Sequence, residues 1–255
     1  MNSNIRGRYR KEGYCLQSFC QTSLVRSIKR IIEEHFDQTI TDYCLMGSDE
    51  YRSIVAECQD EINSLNIAEK LVFQEKKIIS QFMISPFLLQ SRVFLRATRP
   101  SKEQIQEYVG YHRESFYSDV EHKHIVDQGM TIWVPIKNVN YRNTLNFIPR
   151  SHTIPSTEIK LQPKSEDKSS VKKGSSGHKI GLLYSPKEII GGVDLTTGVR
   201  FDASVGSYIV FSNQLIHGNG INNAEDIRFS IDFNILPHSD KTPVHIPSDF
   251  ECFSI

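Results

Sequence analysis

Three residues of the sequence have the types and spacing of a metal site. His112 and Glu114 are separated by one residue in the segment YHRESFY. In an extended segment, residues two apart project from the same face, so both side chains can reach one ion. His217 ends a β-rich run beside glycine and asparagine, where glycine lets the backbone approach a site closely. The spacing therefore predicts that these three residues bind one divalent metal ion.

Arg228 follows His217 by eleven residues on the next predicted strand and indicates a second group at the site. Two histidines and one carboxylate leave three positions of an octahedron open, which is the arrangement in non-haem iron(II) oxygenases. A guanidinium pairs bidentately with a carboxylate such as the distal one of 2-oxoglutarate. Ser230 lies two positions on and faces the same way. We therefore expect Fe(II), 2-oxoglutarate and O2 as cofactors.

Each of these residues also has an ordinary structural interpretation. A lone His-x-Glu is a weak signal, His217 alone can be a core histidine, and Arg228 alone can form a structural ion pair. Their combination in strand-like sequence favours the metal site. A second pair with the same spacing, His122 and His124, is an alternative source of ligands.

The elements that position these residues change in character along the chain. Residues 1–85 have helical apolar spacing and predict a mainly helical N-terminal part. Residues 86–238 contain short β-branched and aromatic runs bounded by turn residues, which indicate a sandwich or barrel. Residues 239–255 are expected to form a C-terminal tail of the same single catalytic domain, which spans residues 1–255.

A polar stretch rich in lysine and serine interrupts the strands. It reads KLQPKSEDKSSVKKGSSGHK and lies inside a predicted mobile insertion at about residues 155–200. Two interpretations stay open for this insertion: a solvated surface loop, or a basic lid over an anionic substrate.

Several stretches together resemble the phytanoyl-CoA dioxygenase family of iron(II)- and 2-oxoglutarate-dependent oxygenases. They are QSRV at 90–93, YHRESFY at 111–117, TIWVPIKNV at 131–139, NTLNFIPRSH at 143–152, and VGSYIVFSNQLIHGNGINNAEDIRFSIDFNIL at 205–236. The resemblance implies a double-stranded β-helix (jelly-roll or cupin-like) core with flanking helices, a mostly β fold. It does not extend before residue 85 or through the lysine- and serine-rich stretch.

The resemblance also implies a role for each matching residue, with no catalytic residue beyond the metal ligands. The iron ligands are then His112, Glu114 and His217, the cosubstrate residues are Arg228, Ser230, Trp133 and Arg96, and the substrate residues are Gln90, Phe116 and Tyr117. This chain departs from the family in having Glu114 where aspartate is usual. It also has Arg150 in place of a glycine, and Asn143-Thr144 in place of Asn-Gly. A carboxylate ligand favours hydroxylation or another oxidation, because related halogenases have a small residue there.

The composition of the chain limits the kinds of partner that we expect it to bind. Thirty basic residues balance thirty acidic ones, so neither nucleic acid nor an anionic membrane is an expected partner. The five cysteines are scattered and lack the close pairs of zinc or redox motifs. No apolar run approaches the roughly 20 residues of a membrane span. We therefore expect a cytoplasmic protein that acts on a small molecule, whereas its oligomeric state is not predicted.

The function that these expectations favour is hydroxylation, or another oxidation, of a C–H bond in a small metabolite, with release of succinate and CO2. The lysine-rich stretch favours a small polar metabolite such as a sugar or a nucleotide-linked compound, in carbohydrate or natural-product biosynthesis. Two alternatives stay open: a cupin-like metal-dependent isomerase, epimerase or hydrolase, which does not need Arg228 at the metal site, and a non-catalytic binding protein on the same fold.

Overall fold

The computed structural model describes residues 5–101, 110–118, 121–163, 176–181, 187–201, 203–238 and 248–255. Helices fill most of the N-terminal part, and two short ones follow later in the chain. The helices are α1 (Ile5–Glu12), α2 (Ser23–His35), α3 (Ile40–Leu45), α4 (Ser48–Ser64), α5 (Ile67–Gln74), α6 (Lys76–Ile79), α7 (Lys123–Asp127) and α8 (Ser176–Lys179).

All the described strands except β1 lie after residue 86. They are β1 (Tyr14–Ser18), β2 (Phe87–Gln90), β3 (Phe94–Thr98), β4 (Met130–Lys137), β5 (Leu145–Phe147), β6 (Lys160–Pro163), β7 (Lys187–Gly191), β8 (Val199–Arg200), β9 (Ser207–Ser212), β10 (His217–Asn219), β11 (Arg228–Pro237) and β12 (Phe250–Phe253). The predicted mostly β fold with several helices is confirmed.

The strands are arranged in antiparallel sheets. The major sheet has the order β1-β9-β4-β11-β2-β12, and β3 pairs with β11 beside β2. A minor sheet has the order β10-β5-β8, and β6 pairs with β7 in a separate hairpin. The long strand β11 thus contacts β4 along one edge and both β3 and β2 along the other.

Strand β11 gives the major sheet two different faces. Its apolar residues Phe229, Ile231, Phe233 and Ile235 belong to one buried cluster with side chains of α2, α4 and α5. The alternate residues from Arg228 to Asn234 are polar and point to the opposite face, because successive side chains of a strand alternate. The helices therefore cover one face of the sheet and leave the other for a site.

Part of that second face packs against the minor sheet. Trp133 of β4 and Phe211 of β9 form a buried cluster with Leu145 and Phe147 of β5. Beside this cluster, the polar residues of the major sheet line a cavity.

Two strands lie where the sequence indicated helices and a tail. Strand β1 pairs with β9, and β12 pairs with β2. Neither segment shows the long alternating apolar pattern of a typical strand, so pairing with existing strands determines their structure. Gly13 precedes β1 with a φ of +87°, and a Cβ there would lie 2.6 Å from a side-chain atom of His152, so this close approach requires glycine.

The predicted insertion contains ordered elements at its ends. Strands β6 and β7 pair antiparallel, and α8 packs on α4, with Gln59 donating a hydrogen bond to the Lys179 carbonyl at 3.3 Å. Residues 164–175 and 182–186 lie outside the described residues, so the mobility of this stretch stays a prediction. In the described part of the chain, no helix has the length and apolar character needed to span a membrane.

The cluster between the major sheet and the helices is expected to dominate stability. Ile231 is fully buried at its centre, so Ile231→Ala should lower the free energy of unfolding by ~2–5 kcal/mol. Leu45 is 81% exposed, and Leu45→Ala should change the same quantity by less than ~0.5 kcal/mol. Urea denaturation measures both, and equal effects would contradict this assignment of the core.

Candidate metal centre

A backbone bridge brings the two predicted histidine ligands together. The His112 N–H donates to the His217 carbonyl at 2.8 Å, and the His217 N–H donates to the His112 carbonyl at 3.0 Å. Strand β10 pairs with β5, and this isolated antiparallel bridge adds His112 as a further partner of its first residue, His217. Residues that are far apart in sequence thereby become direct neighbours.

Glu114 completes the cluster from a short 3-10 turn (Glu114–Phe116) that follows the bridge. Its Oε1 lies 3.2 Å from Nε2 of His217 and 3.9 Å from Nε2 of His112. One ligand atom from each of the three residues lies within 4.8 Å of the others. The spacing predicted from an extended segment therefore brings the side chains together, although Glu114 itself begins a turn.

Hydrogen bonds orient both imidazole rings. Nδ1 of His112 contacts the Gly110 carbonyl at 2.8 Å, and Nδ1 of His217 contacts the Leu215 carbonyl at 3.0 Å. A carbonyl only accepts, so each Nδ1 carries a hydrogen and each neutral ring keeps its Nε2 lone pair. This is how protein imidazoles are usually oriented toward a metal.

The electrostatics of the cluster match these protonation states. Burial, followed by the electrostatic interaction with His217, lowers the pKa of His112 to about 4. Burial opposes ionisation of Glu114, but its contact with His217 and its electrostatic interactions with His217, His112 and Arg96 lower its pKa to about 2. At neutral pH His112 is therefore neutral and Glu114 is a carboxylate, the forms in which both residues bind metals.

The alternative pair, His122 and His124, does not form a comparable cluster. Among the described residues, the three-residue group of possible metal ligands is His112, Glu114 and His217. His122 is buried at the start of α7 and lines the cavity, whereas His124 is exposed. The structure therefore favours the first pair.

The cluster opens into a cavity of about 590 Å³, a size typical of small-molecule sites. Its wall is the polar face of the major sheet, together with residues near β10 and residues 248–250. Of the predicted site residues, the lining includes His112, Glu114, His217, Trp133, Arg96, Gln90 and Tyr117.

Arg96 lies on the cavity wall and is already paired. It donates to both carboxylate oxygens of Asp232, at 2.6 and 2.9 Å, and to the Gly181 carbonyl at 2.7 Å. Its positive charge also contributes to the low pKa of Glu114. Arg96 thus links the metal cluster to the insertion, and its pairing with Asp232 limits what else it can bind.

Arg228 is completely buried, on the same face of β11 as Asp232, and neither Arg228 nor Ser230 is among the cavity-lining residues. Its terminal nitrogens donate to the Asn143 carbonyl at 3.1 Å and to the Thr98 hydroxyl at 2.9 Å. Burial, and then the positive charge of Arg96, lower its pKa to about 10, so it stays charged at neutral pH. No direct carboxylate partner of Arg228 is found among the described residues.

Three buried polar groups around Arg228 lack a hydrogen-bond partner in the part of the chain that the structure describes. They are Nε of Arg228, Oγ of Ser230 and Nε1 of Trp133. Ser230 is two residues from Arg228, and Trp133 is opposite Asp232 in the register of β4 and β11. Buried polar groups are normally paired, so this group fits an anionic ligand that accepts hydrogen bonds.

The predicted substrate residues occupy different environments. Gln90 and Tyr117 line the cavity, and the Tyr117 ring centroid lies 5.7 Å from that of His112. Phe116 instead packs in an apolar cluster with Ile148 and Ile216 and is not among the cavity-lining residues. The structure therefore brings Gln90 and Tyr117 to the site but not Phe116.

Several cavity residues were not predicted. Asp232 and Asn234 continue the polar face that begins at Arg228, and Asn219 lies two residues after His217, so alternation along each strand is the signal that finds them. Asp249 and Phe250 come from the predicted tail, where no motif marks them.

No protein-family model matches the sequence, and the search of curated proteins gives no match either. Solved structures are similar in fold. Crystal structures of AviO1 from Streptomyces viridochromogenes Tue57 and of SnoK, a non-heme alpha ketoglutarate dependent carbocyclase from nogalamycin biosynthesis, are two of these. AviO1 is 14% identical, with a TM-score of 0.54 and 97% of each chain covered. SnoK is 11% identical, with a TM-score of 0.53 over 100% of this chain and 97% of its own.

A third similar structure is that of the epimerase SnoN in complex with Fe3+, alpha ketoglutarate and nogalamycin RO. SnoN is 15% identical, with a TM-score of 0.52 over 98% of this chain and 97% of its own. At these identities the likeness shows the fold alone. The chain therefore has the fold of non-haem iron, 2-oxoglutarate-dependent enzymes.

If the cluster binds a metal, loss of any one ligand should weaken binding strongly. His112→Ala, Glu114→Ala and His217→Ala should each lower the affinity for Mn²⁺ by about 100-fold or more, since loss of even a supporting residue costs 10–100-fold. Calorimetric titration measures the affinity. His124→Ala is the matched control and should leave it unchanged, and a loss in the control instead would favour the alternative histidine pair.

Proposed function

We propose that this protein is an Fe(II)- and 2-oxoglutarate-dependent dioxygenase that oxidises a C–H bond of a small metabolite. In this proposal His112, Glu114 and His217 are the iron ligands. Residues 86–238 form its double-stranded β-helix core, and the motif resemblance favours the phytanoyl-CoA dioxygenase family within this group.

The observation that carries the proposal is the combination of two features. A cluster of two histidines and one carboxylate lines the cavity, and a buried arginine on the strand that forms the cavity wall has an Nε with no partner among the described residues. A metal site alone is compatible with many reactions. A buried guanidinium without a direct carboxylate partner indicates an anionic cosubstrate in addition to the metal.

The residues of the chain have distinct tasks in this proposal. Arg228 and Ser230 would hold the distal carboxylate of 2-oxoglutarate, and the indole N–H of Trp133 is a third donor on the same face. When bound, iron and 2-oxoglutarate supply the oxidising chemistry, with release of succinate and CO2. The protein contributes orientation, exclusion of water and a fixed distance to the substrate.

Arg96 is better suited to position the site than to bind the cosubstrate. It is held by Asp232 and by the Gly181 carbonyl, and its charge lies close to Glu114. This arrangement keeps Glu114 ionised and fixes the wall between the metal cluster and Arg228. The substrate would then enter from the side of Gln90 and Tyr117, which line the same cavity.

Two of the similar structures are those of an epimerase and a carbocyclase, so enzymes of this fold catalyse different reactions. For this chain we propose hydroxylation or a related C–H oxidation, because Glu114 supplies a carboxylate ligand. Natural-product or carbohydrate biosynthesis is the proposed setting.

The reaction class is tested by incubating the protein with Fe²⁺, ascorbate and 2-oxoglutarate. We expect slow formation of succinate without substrate, coupled to oxygen consumption, and loss of succinate in Glu114→Ala. A protein that binds metal but never consumes 2-oxoglutarate would favour the cupin-like isomerase, epimerase or hydrolase. A protein that binds neither metal nor 2-oxoglutarate would favour a non-catalytic role.

The role of Arg228 has its own test. Arg228→Lys keeps the charge but loses the forked geometry, so the affinity of the Mn²⁺-loaded protein for 2-oxoglutarate should fall by about 10-fold or more. Arg150→Lys is the matched control, because Arg150 is exposed and pairs with Glu12. Calorimetry measures both variants. Unchanged 2-oxoglutarate binding in Arg228→Lys would contradict the proposed cosubstrate site, provided that Mn²⁺ still binds.

A further inference from the structure

A row of polar side chains crosses the cavity wall away from the metal cluster. It runs over neighbouring strands from Thr131 of β4 through Asn234 of β11 and Gln90 of β2 to Asp249, just before β12. All four residues line the cavity. The metal centre and the cosubstrate site, as proposed, use none of them.

Both polar ends of the Gln90 side chain form hydrogen bonds within this row. Its Oε1 accepts the backbone N–H of Asn234 at 3.0 Å, and its Nε2 donates to a carboxylate oxygen of Asp249 at 2.7 Å. Only 4% of Gln90 is exposed. Gln90 therefore holds the residues on either side of it and has little capacity left for a ligand.

Asn234 keeps an available donor. The Thr131 hydroxyl lies 2.9 Å from Oδ1 of Asn234 and 2.9 Å from Oδ1 of Asn213, and its single hydrogen is shared between these two acceptors. The Nδ2 group carries two hydrogens, and its contact with Oε1 of Gln90 is long, at 3.4 Å. Because Asn234 is only partly buried, this amide group can donate to a molecule in the cavity.

Asp249 keeps an available acceptor on the other side of Gln90. A carboxylate has about four lone-pair sites, and the hydrogen bond from Gln90 uses one. Within the described residues Asp249 forms no salt bridge, and it is partly exposed at the cavity. An available donor and an available acceptor are thus held next to each other by one glutamine.

The charges around the cavity are balanced. Its described lining contains three basic residues, Arg92, Arg96 and Lys179, and three acidic residues, Glu114, Asp232 and Asp249. Arg92 and Arg96 are paired with Asp60 and Asp232, respectively. A divalent metal and dianionic 2-oxoglutarate add no net charge, and buried Arg228 adds one positive charge. The described residues therefore offer little net attraction to a strongly charged substrate.

We propose that Asn234 and Asp249, held by Gln90 and Thr131, bind neighbouring hydroxyl groups of a neutral polyhydroxylated substrate, that is, a glycoside or polyol. A hydroxyl both donates and accepts, so a vicinal diol can accept from Asn234 and donate to Asp249. An acyl chain would cover Asn234 and Asp249 without offering a partner to their remaining donor and acceptor, which is costly. This inference rests on the proposed function, since it identifies the substrate class of the same cavity.

The test is direct binding, which does not require turnover. The full-length protein, loaded with Mn²⁺ and 2-oxoglutarate, is examined by saturation-transfer NMR and calorimetry against a panel of neutral glycosides and polyols. The panel includes methyl α-D-glucopyranoside, methyl β-D-galactopyranoside and myo-inositol, with their fully O-methylated forms, palmitoyl-CoA and L-proline as comparisons. We expect at least one unmodified glycoside or polyol to bind, and its O-methylated form to bind about tenfold more weakly or not at all.

Two variants test whether Asn234 and Asp249 are responsible for that binding. Asp249→Ala and Asn234→Leu should each weaken glycoside binding by about tenfold or more, while Mn²⁺ and 2-oxoglutarate affinities stay unchanged. Gln17→Leu is the control, because Gln17 lies on the edge strand β1 of the same sheet, away from the row, and its side chain donates to the Leu16 carbonyl. Thermal unfolding verifies that the variants fold. Asp249 lies outside the strands, so Asp249→Ala still tests the proposal if Asn234→Leu does not fold.

The outcomes separate this inference from the proposed function. If the wild-type protein binds Mn²⁺ and 2-oxoglutarate but no member of the glycoside and polyol panel, the inference is overturned and the proposed function stands. Binding of palmitoyl-CoA or L-proline alone, or glycoside binding that both variants leave intact, also overturns it. Failure of the wild-type protein to bind Mn²⁺ and 2-oxoglutarate would refute the proposed function itself.

Discussion

The alternation of strand β11 is the constraint on which the rest of the structure depends. Its apolar residues must face the helices, because they form the centre of the largest buried cluster. Every polar residue between them is then directed to the other face. A shift of one residue would move Arg228 and Asp232 into the apolar core and remove the cluster's centre, so packing of the core also fixes the position of the site.

The second constraint is the backbone bridge between His112 and His217. Hydrogen bonds between main-chain groups, rather than side-chain contacts, bring these residues together. The bridge tolerates changes in nearby side chains, whereas the ligand residues depend on it for their spacing. Glu114 follows the bridge at the start of a turn, and its longer side chain still brings the carboxylate beside His217.

The grouping of His112, Glu114 and His217 could be predicted from the sequence, because a short motif and a strand end carry these residues. The mostly β fold followed from short runs with turn residues, and the similar structures agree with it. Strands β1 and β12 could not be predicted, since each is short and gains its structure by pairing with a strand far away in sequence. Phe116 shows a related difficulty: the motif places it beside Glu114, but the turn directs its ring into an apolar cluster.

The two arginines of the site, Arg96 and Arg228, differ in their hydrogen-bond partners. Arg96 and Arg228 have the same charge and influence each other electrostatically, but only Arg96 has a bidentate carboxylate partner. Asp232 satisfies Arg96 and partly offsets the charge of Arg228 without bonding to it. A carboxylate of the chain bound directly to Arg228 would neutralise the guanidinium, whereas the more distant Asp232 offsets its charge only in part and leaves Nε without a partner among the described residues. Across the cavity, Gln90 bonds to the residues on either side of it and so sets the positions of Asn234 and Asp249.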